Sequence, residues 1–164
     1  MRLLSSFLLI IVLSGCKITA SSKLKSVTFK YKKVTGIGAE RHVCRRDPSD
    51  VIKVGDKWYI WYTKLSRYHN GRLRPIYPEG YHGDIWYAVS EDEGHTWKEK
   101  GAALNRGKGA EWDAFGILTP NIIKADGKYY LYYTGVRKGF TNRTYKDADR
   151  TAIGVAVADS PDGP

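Results

Sequence analysis

Hydrophobic and polar positions alternate most clearly in two stretches that align with each other without a gap. Val51–Thr63 (VIKVGDKWYIWYT) matches Ile122–Thr134 (IIKADGKYYLYYT) at an offset of 71 residues. Each reads as a short apolar strand, a two-residue turn (Gly55-Asp56 or Asp126-Gly127) and an aromatic strand, which is the pattern of a β-hairpin. A second pair, Asp84–Ser90 (DIWYAVS) and Ala152–Ala158 (AIGVAVA), repeats at an offset of 68 residues. One unit of about 70 residues therefore predicts two hairpins, or about four strands, and no segment shows the 3.6-residue period of an amphipathic helix. A weaker alternation over Val27–Tyr31 predicts a short strand ahead of the first unit.

Four antiparallel strands repeated in tandem form the blades of a β-propeller, in which neighbouring blades bury each other's aromatic faces. Closing such a ring takes about four to eight blades. The chain supplies about two and reaches Pro164 within a turn signal, so the expected fold is all-β, a partial propeller over residues 41–164, truncated from a longer ring. A self-contained small sandwich is the competing fold. Ser90, Asp92, Gly94, Thr96 and Trp97 fit S-x-D-x-G-x-T-W, which looks like the Asp-box of sialidases and other propellers. Asp92 can accept hydrogen bonds from turn amides, Gly94 can take a positive φ and Trp97 can pack beneath the hairpin. That role is structural, so none of its carboxylates is a candidate for catalysis.

Composition narrows the picture. With 164 residues, 42% of them hydrophobic, and two cysteines, the chain is neither a disulfide-stapled miniprotein nor a disordered tail. Its net charge of +10 would suit nucleic acid, but residues 17–46 hold nine Lys or Arg against the single acid Glu40. From Asp47 onward 17 basic side chains face 16 acidic ones, so the folded part offers no basic face for phosphates, and nucleic acid is not an expected partner. Arg2 precedes an apolar run, Leu3–Leu13, that is too short to span a bilayer and reads as a signal peptide over residues 1–16. Leu13-Ser14-Gly15-Cys16 resembles the lipobox of bacterial lipoproteins, which implies lipidation of Cys16 and an exported, membrane-anchored protein. Lys17 stands where an inner-membrane retention signal would place Asp, which favours the outer membrane of the cell envelope. An ordinary secretory signal is the alternative. Residues 17–40 read as a basic tether, and Cys44, left without a partner, reads as a packed thiol. The four histidines show no metal-ligand spacing, so no metal site is expected from the sequence. The long stretch over residues 67–84 is either a cleft-lining loop or a solvated insertion.

Arg45-Arg46-Asp47-Pro48-Ser49 leads into the first hairpin. Together with Trp112-Asp113, Thr119-Pro120-Asn121, the aromatic strands and the closing Ile153–Pro164, it resembles glycoside hydrolase family 43 and the related family 117 across residues 41–164. The resemblance implies a five-bladed propeller that hydrolyses glycosidic bonds in an oligo- or polysaccharide, with Asp47 as general base on water. An ionised carboxylate can orient water and take its proton as an oxocarbenium-like centre develops. Arg46, Trp112, Asp113 and Asn121 are the implied substrate-binding residues. Asp50 is the second choice for the base, because it aligns with Asn121 and lies eight residues before Trp58, where Asp47 lies eleven before it. Family 43 would place an Asp at Asn121, so its charge is lost here or moved to a residue such as Asp113. The general acid is expected beyond Pro164, which would leave residues 17–164 inactive alone. Family 117 points to anhydro-galactose units, family 43 to arabinose or xylose. No cofactor is required; a structural Ca²⁺ of the family has no assignable ligands here. The alternative functions are a non-catalytic glycan-binding propeller and a sialidase-like Asp-box protein.

Overall fold

A computed structural model of the chain describes residues 28–66, 68–69, 72–73, 82–140 and 150–163, and among these there are ten strands and no helix. Cys16 and the rest of the signal segment lie outside the described residues, as do parts of the long stretch between the first unit's hairpins. Lys32–Pro164 forms one compact unit. The described part of the Val27–Tyr31 segment forms no strand.

The first sheet is built from β1 (Val43–Arg46), β2 (Ile52–Val54), β3 (Lys57–Ser66), β6 (Asp84–Ser90) and β7 (Lys98–Leu104). Its order is β1-β3-β6-β7, with β2 also on β3, and every pairing is antiparallel. Short strands β4 (Tyr68–His69) and β5 (Arg72–Leu73) pair only with each other. The second sheet holds β8 (Gly116–Ala125), β9 (Lys128–Val136) and β10 (Thr151–Ala158) in the order β10-β9-β8. Both repeat pairs of the sequence appear as expected: β2–β3 and β8–β9 are the aromatic hairpins, and β6 and β10 each flank the aromatic strand. The second turn needs positive φ at both loop residues, Asp126 (50°) and Gly127 (75°), a conformation that Asp tolerates and Gly adopts freely.

Strand alternation divides the aromatic residues between two faces. Tyr59, Trp61, Ile85 and Val89 of the first sheet meet Ile117, Ile122, Tyr129 and Leu131 of the second in one buried cluster. The opposite face of the first sheet carries Tyr62, Ala88 and Trp97, with Ile37 packed on them. Residues 35–40 are therefore docked and are not part of a free tether. The Trp97 amide donates to the Thr35 carbonyl at 3.0 Å, and Gly36, at φ 89°, lies so close to the Trp97 backbone that no Cβ fits there.

The turn between β6 and β7 has the Asp-box geometry. Ser90 Oγ donates to Asp92 Oδ1 at 2.8 Å and accepts the Gly94 amide at 2.9 Å, while the Thr96 amide donates to Asp92 Oδ1 at 2.7 Å. The Thr96 amide, followed by the Ser90 hydroxyl, holds the Asp92 carboxyl down to about 2. The Trp97 indole N–H closes the turn on the Gly94 carbonyl at 2.9 Å.

Candidate active site

Strands β1 and β2 occupy one edge of β3 in succession. β2 pairs with Lys57–Tyr59 and β1 with Thr63–Ser66. Between them the chain leaves the ladder at Asp47-Pro48 and is caught again at Ser49, whose amide donates to the Trp61 carbonyl at 2.8 Å and whose Oγ accepts the Trp61 amide at 3.0 Å. Asp47 sits at φ 52°. A positive φ is uncommon outside glycine, although Asp is one of the residues that tolerates it. Its carboxylate lies 3.3 Å from Arg46 Nε, with the two side chains 30% and 33% exposed, so water reaches a carboxylate that has a cation beside it.

In the second sheet β8 follows the same course, with its irregularity between Leu118 and Asn121 and with Thr119 at φ 50°. Arg46 is opposite Thr63, and Leu118 is opposite Thr134, the repeat partner of Thr63. The next residue in each case precedes a proline in the left-handed region. Asp47 and Thr119 are thus structural equivalents, and the first unit carries one extra residue before it rejoins the Asp50–Asn121 alignment.

The seam between the sheets runs past these residues. Thr63 is fully buried, and its Oγ1 accepts the Thr119 amide at 3.0 Å. Thr119 Oγ1 donates to Thr134 Oγ1 at 2.9 Å. The Ile117 amide donates to the Gly83 carbonyl at 3.0 Å, and a Cβ at Gly83 would lie 2.8 Å from the Thr63 methyl. Sequence reasoning missed Thr63 and Thr119. The signal that could have found Thr119 was the shared X-Pro step, Asp47-Pro48 and Thr119-Pro120, set one residue off the hairpin alignment.

Of the other expected site residues, Trp112 and Asp113 meet at Tyr133. Asp50 is exposed beyond the interruption, and Asn121 is exposed opposite Tyr132. Trp112 stacks on Tyr133 with ring centroids 5.8 Å apart, and its ring lies against Gly135 and Gly154, where a Cβ would collide with it. Asp113 is buried, and its Oδ2 accepts the Tyr133 hydroxyl at 3.1 Å. Burial, followed by the Asp113 charge, pushes the Tyr133 hydroxyl up to about 12. Asp113 is thus tied to Tyr133 of β9, while Asp47 stands on the edge of the first sheet.

On the opposite face of the first sheet Glu99 accepts from Arg45 Nε at 3.0 Å, the Tyr62 hydroxyl at 2.7 Å and Lys64 Nζ at 2.5 Å. Burial alone would raise the Glu99 carboxyl, but hydrogen bonds from Arg45, Lys64 and Tyr62 hold it down to about 2. Arg45 also binds Glu40 at 2.7 Å, tying residues 35–40 to β1. Among the described residues no three His, Cys, Asp or Glu side chains gather as a metal site.

The profile of glycosyl hydrolases family 43 matches residues 42–164. No curated protein matches the chain. Among solved structures it is similar to Zg3597, a family 117 glycoside hydrolase produced by the marine bacterium Zobellia galactanivorans, at 35% identity and a TM-score of 0.67, over 82% of this chain and 41% of that one. It is also similar to the GH43_1 enzyme from Xanthomonas citri complexed with xylose, at 25% identity and a TM-score of 0.50, over 79% of this chain and 34% of that one. A third likeness is to CoXyl43, a β-xylosidase/α-arabinofuranosidase from a compost microbial metagenome in complex with xylotriose, again at 25% identity and a TM-score of 0.50, over 75% of this chain and 34% of that one. The chain spans 34 to 41% of the length of these structures.

Proposed function

The chain belongs to glycosyl hydrolases family 43, and we propose that the intact protein hydrolyses glycosidic bonds with Asp47 as the general base that takes a proton from the attacking water. The observation that carries this reading is the Asp47 backbone, held at φ 52° where the edge strand is interrupted, with its carboxylate accessible and paired to Arg46. Strained non-glycine residues cluster at functional sites, because only a surrounding structure that over-determines them keeps them in place.

Arg46 Nε lies 3.3 Å from the Asp47 carboxylate and gives it an ion-pair partner. It also leaves Asp47 oriented, since Arg46 is itself fixed in register opposite Thr63. Protonation of the leaving group requires a second acid, which in an inverting arrangement stands roughly 6.5–9.5 Å away to leave room for water. We infer that this acid comes from outside residues 17–164. The likenesses to a family 117 hydrolase and to xylose-binding and xylotriose-binding family 43 enzymes support neutral sugars as substrates, with anhydro-galactose, xylose and arabinose units the first to test.

In the intact protein, Asp47→Asn should lower kcat by about 10²–10⁴-fold, the usual span for a lost general base, while the melting temperature stays the same. Rates and melting curves measured together decide it. Unchanged turnover in Asp47→Asn would move the base to Asp50 or elsewhere, and sugar binding without turnover by the native protein would favour a glycan-binding propeller.

A further inference from the structure

We propose that Thr119 is a specificity-determining residue of the site that holds Asp47, its hydroxyl meeting a neutral hydroxyl of the sugar whose bond is cleaved. This rests on the reading of Asp47 as general base. Thr119 holds in the second sheet the place Asp47 holds in the first: the residue after the Arg46–Thr63 or Leu118–Thr134 pair, ahead of proline, at φ 50° against 52°. Thr63 joins the two directly. Its Cα is opposite Arg46, the neighbour of Asp47, and its hydroxyl holds the Thr119 amide at 3.0 Å.

Burial gives no reason for a threonine at this position. Thr119 is exposed, so its methyl gains little from packing, and a β-branched side chain at positive φ is a true outlier. Its backbone is nevertheless locked by Thr63 and its hydroxyl is aimed by Thr134. With its proton donated to Thr134, Thr119 Oγ1 keeps lone pairs for a donor from outside, which a sugar hydroxyl supplies. A hydroxyl at this position adds no charge beside Asp47. It offers an acceptor to a neutral sugar hydroxyl.

The test uses the intact protein with 4-nitrophenyl β-D-xylopyranoside, 4-nitrophenyl α-L-arabinofuranoside and neoagarobiose. Thr119→Val, which keeps the shape and removes the hydroxyl, should raise KM roughly five- to tenfold, the worth of one hydrogen bond, with kcat within about twofold. Thr119→Ser should restore KM. Thr119→Asp would set a second carboxylate beside Asp47 and should move the acid limb of the kcat/KM profile up by about one pH unit. The profile reads proximity to the base and is insensitive to a merely structural role. If Thr119→Val fails to fold, the Ser and Asp variants decide alone. A native KM in Thr119→Val, or a native acid limb in Thr119→Asp, overturns the assignment. Asp47→Asn separates the two readings: if it turns over normally while Thr119→Val still raises KM, the base assignment fails and Thr119 stands at a sugar site. If the native protein neither cleaves nor binds any of the three compounds, both fall.

Discussion

A left-handed backbone before proline costs about 1–3 kcal/mol at a non-glycine residue, so two such residues at matching places point to a shared demand and not to an accident of one loop. The demand at Asp47 and Thr119 is positional, since each hangs from a β ladder whose register is set by residues farther along the strand. Charge at the residue scale is concentrated elsewhere, on Glu99. Its carboxyl is held down to about 2 in the folded chain against an ordinary 4.5, so it binds fewer protons folded than unfolded. The stabilisation it gives is complete above about pH 4.5 and is lost as pH falls toward 2. Because the cluster lies partly in water, screening limits this to about 1–2 kcal/mol. Glu99→Gln should lower the unfolding free energy at pH 7 by that amount and flatten its fall between pH 4.5 and 2, as urea denaturation at stepped pH would show. An unchanged slope would mean that Arg45, Lys64 and Tyr62 do not depend on that charge.

At the scale of elements, the aromatic hairpins are stable because alternation sends Tyr59, Trp61, Tyr129 and Leu131 to one seam, and the two-residue turns leave no slack for a register slip. The Asp-box turn adds a locked corner between β6 and β7. It matters beyond itself, because Trp97 in that corner receives the segment at residues 35–40 along its backbone. Gly36 is the contact that cannot yield, since a Cβ there meets main chain and not a movable side chain. Gly36→Ala should therefore destabilise the unit by about 1–3 kcal/mol and speed amide exchange at Trp97, whose hydrogen bond to Thr35 would open. Protection at Trp97 equal to that of the native chain would show that the segment docks by other contacts.

At the scale of the whole molecule, the two sheets present repeated faces with different fates. Tyr59, Trp61 and Ile85 are 5%, 3% and 0% exposed because the second sheet covers them. Their repeat counterparts include Tyr132 at 41% and Ile153 at 81%, on the second sheet's far face, with Val155 and Val157 beside them. A face whose first copy is an interface is built to be one in its second copy, and uncovered it is an apolar patch of the kind that drives association. Replacing Ile153 and Val155 by Lys should suppress concentration-dependent self-association of this chain in sedimentation velocity while leaving its melting temperature within a few degrees. Association that persists in the double variant would assign the sticky surface elsewhere.

Sequence alone determined the hairpins, the repeat and the Asp-box turn, because alternation, turn chemistry and short motifs are local and are written in neighbouring residues. Tertiary structure alone decided that Asp113 is committed to Tyr133, that residues 35–40 are docked, and that Thr119 is the counterpart of Asp47. Each of these depends on which strands lie side by side. A one-residue difference at an interrupted strand shifts every later alignment in sequence, whereas the hydrogen-bonded ladder absorbs it locally and keeps the flanking residues in register.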